Sequence, residues 1–365
     1  MDCGRSTNRR TSWIRNDVAT GMTVPASPEG EVGAFDWTPI KVEVMEHSYS
    51  GAGVSPAKLL KRPGRLRSHR TQRLKESGVV GSLISATVFS VLVTASIIFI
   101  LGFETTHFFQ QDEASLGEFF GQTQWNPLLG SEKHFGIWPL VCGTFLVAGI
   151  ALLVAVPMGL ATAIYLSEYA HPRVRAVLKP ALEILAGIPT VVYGFFALTL
   201  LTPGLKMLHE GFGSYNALAA GIAVGILILP IISSLSEDAL RAVPQSLRDG
   251  VYGLGGTSFD ATTKVVFPAA LSGIISAVLL AAARAIGETM IVALAAGTVP
   301  RLTVDVREEI QTMTGFMAQM ALGDVSNFGV EYFAMYAVAA TLFVITFVLT
   351  IVGAIIRKRY REVYE

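Results

Sequence analysis

From Val79 onward the chain alternates between long, nearly unbroken apolar stretches and polar segments. Six such stretches fall near 79–103, 137–166, 181–201, 216–234, 269–295 and 332–356. At about 1.5 Å per residue, each is long enough to cross the roughly 30 Å of hydrocarbon in a bilayer. Lipid offers no partner to a backbone amide, and the runs are too long for barrel strands, so the pattern predicts helices. The expected fold class is an all-α membrane protein, with a six-helix transmembrane bundle in a domain over 78–360. Residues 1–77 have no sustained apolar period and are rich in Ser, Gly, Pro and Arg, which predicts a disordered polar extension. No apolar run near Met1 suits a signal peptide, Met22 and Met45 are alternative starts, and 361–365 reads as a short tail.

Composition sharpens the membrane reading, since 52% of residues are hydrophobic and 15% charged, against about 25% charged in ordinary soluble domains. The formal net charge of zero hides a strong segregation. One set of flanks holds the run from Lys58 to Lys75, then Arg173, Arg175 and Lys179, then Arg241, Arg248 and Lys264, and finally Arg357 to Arg361. The opposite set holds only Lys133, Lys206, Arg301 and Arg307, beside acids such as Asp112, Glu113, Asp305, Glu308 and Glu309. Positive flanks stay inside, so both termini are expected in the cytoplasm. Omitting any one helix would invert every later flank, which makes the agreement a check on the number of crossings. Cys3 and Cys142 are too far apart for a disulfide framework, and the six histidines show no ligand spacing.

The cytoplasmic segment 235–268 is too long for a plain connector and reads as helix, break, helix. Pro244 suits a first helical position, and Leu247, Val251 and Leu254 form one apolar face. Gly255 and Gly256 supply a left-handed stop, and Ser258 is the expected cap of a second short helix running into Pro268. An apolar ridge flanked by Arg248 and Asp249 is what a helix needs to dock in a groove of a soluble partner. A surface-lying amphipathic loop is the plainer alternative. Gly253 to Ser258 is glycine-rich but lacks the P-loop lysine and follows no strand, so it is not read as a nucleotide site.

Within the fifth stretch, Ala283-Arg284-Ala285-Ile286-Gly287-Glu288-Thr289 places an arginine and a carboxylate in a membrane segment, where each costs about 2.5–3.5 kcal/mol to insert. The two lie one turn apart on the fifth helix and share a face, so Glu288 either neutralises Arg284 or tempers a site in which Arg284 offers its planar fork to a tetrahedral oxyanion. Prolines 157, 189 and 230 with nearby glycines read as kinks and close-packing points, and the aromatic loop with Phe119, Phe120 and Trp125 as an interfacial belt or a docking surface. No Ser/His dyad, aspartate pair or metal motif suggests an intramembrane enzyme, and no nucleic-acid partner is expected.

Two segments carry a resemblance. Asp249-Gly250-Val251, then Gly255, then Val265-Val266-Phe267-Pro268 keeps the spacing of the cytoplasmic signature of ABC importer permeases, with Asp for Glu, both alanines replaced, and Val and Phe for Ile and Leu. The segment from Arg284 to Gly297, together with Gly143-Thr144, Ser167-Glu168-Tyr169 and the run from Leu182 to Gly194, is similar to the signature of phosphate importer permeases over about 79–360. Met290 after Gly287-Glu288-Thr289 favours the C-type membrane subunit. The resemblance implies a bacterial inner-membrane permease that couples through Asp249, Gly255 and Pro268 to a dimer of ATP-binding subunits. It also implies a homologous A-type permease and an extracytoplasmic phosphate-binding protein as partners, no directly bound cofactor, and ATP and Mg used on the partner ATPase. Loop spacing alone is shared with permeases for sulfate, molybdate and tungstate, and a stand-alone channel or carrier is the rival of another class.

Overall fold

The computed structural model describes residues 69–359 except 112–113, 128–132 and 324–328; the expected 1–68 part of the polar extension and the tail from 360 lie outside the described residues. In chain order the elements are α1 His69–Phe109, α2 Leu116–Gly121, β1 Trp125–Asn126, β2 His134–Phe135, α3 Trp138–Ile164 and α4 Pro172–Ala186. There follow α5 Thr190–Phe196, α6 Thr202–Leu208, α7 Ala217–Arg241, α8 Gln245–Gly253 and α9 Ser258–Ala261. The chain ends in α10 Phe267–Ile286, α11 Met290–Ala295, α12 Met313–Leu322 and α13 Val330–Arg359. Short π-helical turns join α3 to the loop before α4 (Tyr165–Tyr169), α5 to α6 (Ala197–Leu201) and α9 to α10 (Thr262–Val266). Six helical stretches are long and apolar enough to cross a membrane: Ser77–Phe109, Trp138–Tyr169, Thr190–Leu208, Ala217–Arg241, Ser258–Ile286 and Val330–Arg359.

The centre of the bundle is the pairing of α3 with α7, and small residues let the two backbones approach. A Cβ at Gly221 would lie 2.6 Å from the Ile150 side chain, one at Gly225 would lie 3.0 Å from the Ala151 carbonyl, and one at Gly159 would lie 3.0 Å from Ile232. Alanines 148, 151 and 155 of α3 and 220 and 223 of α7 fill the same seam, and Ala281, Ala285 and Ile286 of α10 close it from a third side. By contrast α1 buries none of its most apolar window, because it is hydrophobic all round and has no preferred face. At its end, Thr105 Oγ1 donates to the Tyr336 carbonyl of α13 at 3.2 Å.

The third expected span, 181–201, is wrong at both ends. Pro189 has no N–H and biases Ile188 away from helical backbone, so the chain breaks after Ala186 and restarts at Thr190. What precedes the break is α4, an amphipathic helix with no buried residue, and the span itself runs on to Leu208. The fifth expected span, 269–295, is also divided: its helix begins at Ser258, passes through Pro268 without stopping and ends at Ile286, so Pro268 does not terminate a separate short helix. Pro268 fits because it lies in the first turn after the π-helical Thr262–Val266 segment.

At the end of the bundle away from the basic flanks, a second core gathers Phe108, Phe119, Trp125, Phe135 and Phe316 in edge-to-face contacts. Phe119 and Trp125 are therefore core residues and neither belt nor docking surface, while Phe120 is exposed. Across the short hairpin, Trp125 pairs with Phe135 and Asn126 with His134.

Candidate functional site

At the basic end, α7 runs two turns beyond its expected stop at 234, and α8 follows after Pro244. The stop after α8 is a complete Schellman turn: Gly256 N–H donates to Val251 carbonyl at 3.0 Å and Gly255 N–H to Tyr252 carbonyl at 3.0 Å. Gly255 has φ +81°, the left-handed region that disfavours a side chain, although a Cβ there would meet nothing within 4 Å. Gly256 is the opposite case, since its Cβ would lie 2.6 Å from Val251. The next helix is capped by Thr257 and not by Ser258: Thr257 Oγ1 accepts from Asp260 N–H, and the Asp260 carboxylate accepts from Thr257 N–H.

The expected ridge of Leu247, Val251 and Leu254 is split. Leu247 packs on the cluster of Ala163, Leu240, Val243 and Val266, whereas Leu254 is 91% exposed. The apolar surface that α8, the Schellman turn and α9 offer outward is made by Tyr252, Leu254 and Phe259. Asp249 is exposed and accepts from Gln245 Nε2 at 3.1 Å. Arg248, expected to flank the ridge, turns inward and is 8% exposed. Its Nε and Nη2 donate to the two oxygens of Glu168 at 3.2 and 3.0 Å, and its Nη1 and Nη2 donate to the carbonyls of Val243 and Leu240 at 2.6 and 2.9 Å.

Beside this pair lies a cavity of about 750 Å³ whose lining includes Glu168, Arg175, Lys179, Glu183, Arg241 and Arg248. Glu237 of α7 is buried near its wall, with Arg175 at 2.5 Å, Lys179 at 3.5 Å and Arg241 at 4.0 Å. Neither carboxylate oxygen accepts a well-aligned hydrogen bond, so charge holds it. Asp238, hydrogen-bonded to Lys179 at 3.0 Å, keeps that ammonium above its ordinary range. Sequence reading missed Glu237 because the expected helix stopped at 234. A helix continued to 241 would have set Glu237 and Arg241 one turn apart.

Inside the membrane region, the segment singled out for its charges is where the helix ends. Arg284 lies in the last turn of α10, Gly287 is the cap, and Glu288 precedes α11. Arg284 and Glu288 therefore do not share a helix face, and no ion pair joins them among the described residues. Each charge instead suits the end it occupies, a cation at a helix C-terminus and an anion at a helix N-terminus. Glu288 is 5% exposed; its carboxylate accepts a long bond, 3.5 Å, from Ile291 N–H, and its carbonyl accepts from Thr314 Oγ1 at 2.6 Å. Thr144, Gln311, Thr312 and Thr314 are also buried here, and Thr144 Oγ1 accepts from Met313 N–H at 3.0 Å. Gly143 is needed for this contact, because a Cβ would collide with the Gln311 carbonyl.

Arg284 is exposed and makes no hydrogen bond or ion pair among the described residues. Ala281, Ala282, Ala285 and Ile286 turn inward on the same helix, so the arginine and Leu280 occupy the side of α10 that the chain leaves uncovered. The coupling candidates Asp249 and Gly255 and the substrate candidates Arg284 and Glu288 are thus in two separate places, joined by the continuous helix from Ser258 to Ile286.

The family model described as binding-protein-dependent transport system inner membrane component matches residues 155–362. Over 285 residues, 78% of this chain and 91% of the relative, the chain is 34% identical to the Probable ABC transporter permease protein YqgH of Bacillus subtilis. It is also 34% identical over 253 residues to the Phosphate transport system permease protein PstC of Mesorhizobium japonicum, covering 63% of this chain and 75% of that one. Among solved structures, a bacterial ABC transporter involved in alginate import matches with a TM-score of 0.57 at 13% identity, over 80% of this chain and 99% of its own, which is a likeness of fold.

Proposed function

The chain belongs to the family of binding-protein-dependent transport system inner membrane components, and from that premise we propose that it is the C-type permease subunit of an ATP-driven importer of inorganic phosphate. The observation that carries the substrate side is Arg284: a permanently charged fork on the uncovered side of α10, with Leu280 exposed beside it. Lipid is the costliest neighbour such a group can have. A water-filled path between this chain and a homologous A-type permease removes that cost and gives the guanidinium a tetrahedral oxyanion to bind. The relatives named for phosphate transport support the choice of anion.

On the cytoplasmic side, α8, its Schellman turn and α9 present Tyr252, Leu254 and Phe259 to a dimer of ATP-binding subunits. ATP and Mg are used there, on the partner chains, and this chain binds no cofactor of its own. Asp249 and Gly255 belong to the docking element, and Pro268 lies in the helix that runs from Ser258 into the bundle. The basic flanks orient both termini to the cytoplasm of a bacterial inner membrane, and the opposite end faces an extracytoplasmic phosphate-binding protein.

The test is labelled-phosphate uptake into proteoliposomes containing the assembled transporter, with and without ATP, challenged by arsenate, sulfate or molybdate. The expected result is ATP-dependent uptake blocked by arsenate alone. Competition by sulfate or molybdate reassigns the anion, and uptake without ATP overturns the importer reading. Charge-assisted hydrogen bonds contribute about 1.5–3 kcal/mol, so Arg284→Ala should weaken apparent phosphate affinity about 10- to 100-fold. Unchanged uptake in that variant refutes the role given to Arg284.

A further inference from the structure

Pro244 ends the backbone ladder of α7 in a specific way. A helix continued through this point would satisfy the Leu240 carbonyl with the N–H of residue 244, and proline has none. The Leu240 carbonyl keeps a long bond, 3.4 Å, from Val243 N–H, and the Val243 carbonyl is left over because Leu247 N–H turns to the Pro244 carbonyl at 3.2 Å. Both carbonyls are taken by Arg248, which reaches back from the next helix with Nη2 to Leu240 and Nη1 to Val243. The rest of the same guanidinium forks onto Glu168, in the π-helical turn that ends the α3 span. Ser167 Oγ donates to Glu168 at 2.8 Å, which fixes the carboxylate from its own side.

One buried side chain therefore ties three elements: α8, the inner end of α7, and the inner end of α3, 80 residues away in sequence. Contacts of this kind are stiff. The fork needs both planes aligned, and a buried charge that loses its partner is strongly disfavoured, so the pair stays closed. Lysine has no fork and serves one such direction at a time.

We infer that Arg248 is the positioning residue that makes α8 and the inner ends of α3 and α7 move as one body, so that a displacement of α8 is delivered to the α3–α7 core of the bundle. This rests on the reading of α8 as the element that docks the ATP-binding subunits.

The test uses the assembled transporter in proteoliposomes, with Cys3 and Cys142 replaced by serine and spin labels attached through Ser246→Cys and His171→Cys, at two exposed positions on the two sides of the clamp. The 246–171 distance is expected to stay the same with and without a non-hydrolysable ATP analogue, and a nucleotide-dependent shift overturns the inference. In the near-isosteric Glu168→Gln variant, ATP-binding subunits should stay bound and hydrolyse ATP while phosphate moved per ATP falls about five- to tenfold. Arg248→Ala should do the same and broaden the distance distribution, with Arg248→Lys intermediate. An unchanged transport ratio in Glu168→Gln also overturns the inference. Leu254→Ala provides the separate control: if it leaves retention of the ATP-binding subunits intact, the docking reading fails, while the distance measurement still decides whether the clamp is rigid.

Discussion

Two adjacent glycines show how differently one residue type is used. At Gly255 the backbone, with φ +81°, is the reason for glycine; at Gly256 it is the Val251 side chain 2.6 Å from where a Cβ would sit. A left-handed backbone costs an ordinary residue about 1–2 kcal/mol whatever its size. Gly255→Ala and Gly255→Leu should therefore lower thermal stability similarly, whereas Gly256→Leu should be markedly worse than Gly256→Ala. Melting curves of the four variants in detergent check this, and a steep size dependence at 255 contradicts it. The loop that carries Asp305 and Arg307 gives a second residue-scale expectation. Arg307 Nη2 and Nε bind the Asp305 carboxylate at 2.6 and 2.9 Å, and these bonds hold its pKa at about 2. A depressed carboxylate contributes stability above its unfolded pKa of 3.8 and loses it as pH falls toward 2. Arg307→Ala should return the titration midpoint toward 3.8, as read from carboxyl chemical shifts. Gly255 and Arg284 were legible in the sequence, because a left-handed stop and a charge amid apolar residues are local signals. The inward turn of Arg248 was not, since Glu168 is 80 positions away and nothing local distinguishes a clamping arginine from a solvated one.

For the elements, hydropathy located all six spans and misplaced boundaries of the third, fourth and fifth. Apolarity records which residues tolerate lipid and says little about where the backbone ladder stops. Pro189 reads as a kink in the sequence and is a full break in the structure, so the expected third span includes the last residues of α4. The end of α10 at Ile286 was harder to read, because glycine is common in membrane helices and Gly287 has an ordinary φ of −87°. The α3–α7 seam is where substitutions should be most costly. Gly221→Val pushes new atoms into Ile150, and overpacking of this kind costs about 1–3 kcal/mol. That variant should lose thermal stability, and Ile150→Ala on the facing helix should restore part of it. If the double variant is no better than the single one, Gly221 matters for some reason other than space.

Across the whole molecule, contacts sort the charges as the flanks predicted. The links from Arg175, Lys179 and Arg241 to Glu237 and from Arg248 to Glu168 gather at one end. The Thr105–Tyr336 bond, the aromatic core and the Lys133–Glu331 pair at 2.8 Å gather at the other. A membrane-impermeant thiol reagent applied to intact cells should modify Val304→Cys, which is exposed at the acidic end, and spare Ser246→Cys until the cells are opened. The reverse order would invert the assigned orientation. The uneven packing of the bundle also bears on how the chain is made. A ribosome delivers α1 first, yet its bond to Tyr336 joins residues 231 apart and forms only when α13 arrives. The α3–α7 pair can form once α7 has emerged, and α10 closes the seam from its third side later. Helix α1 therefore waits in lipid for its last partner while the core closes beside it without its help.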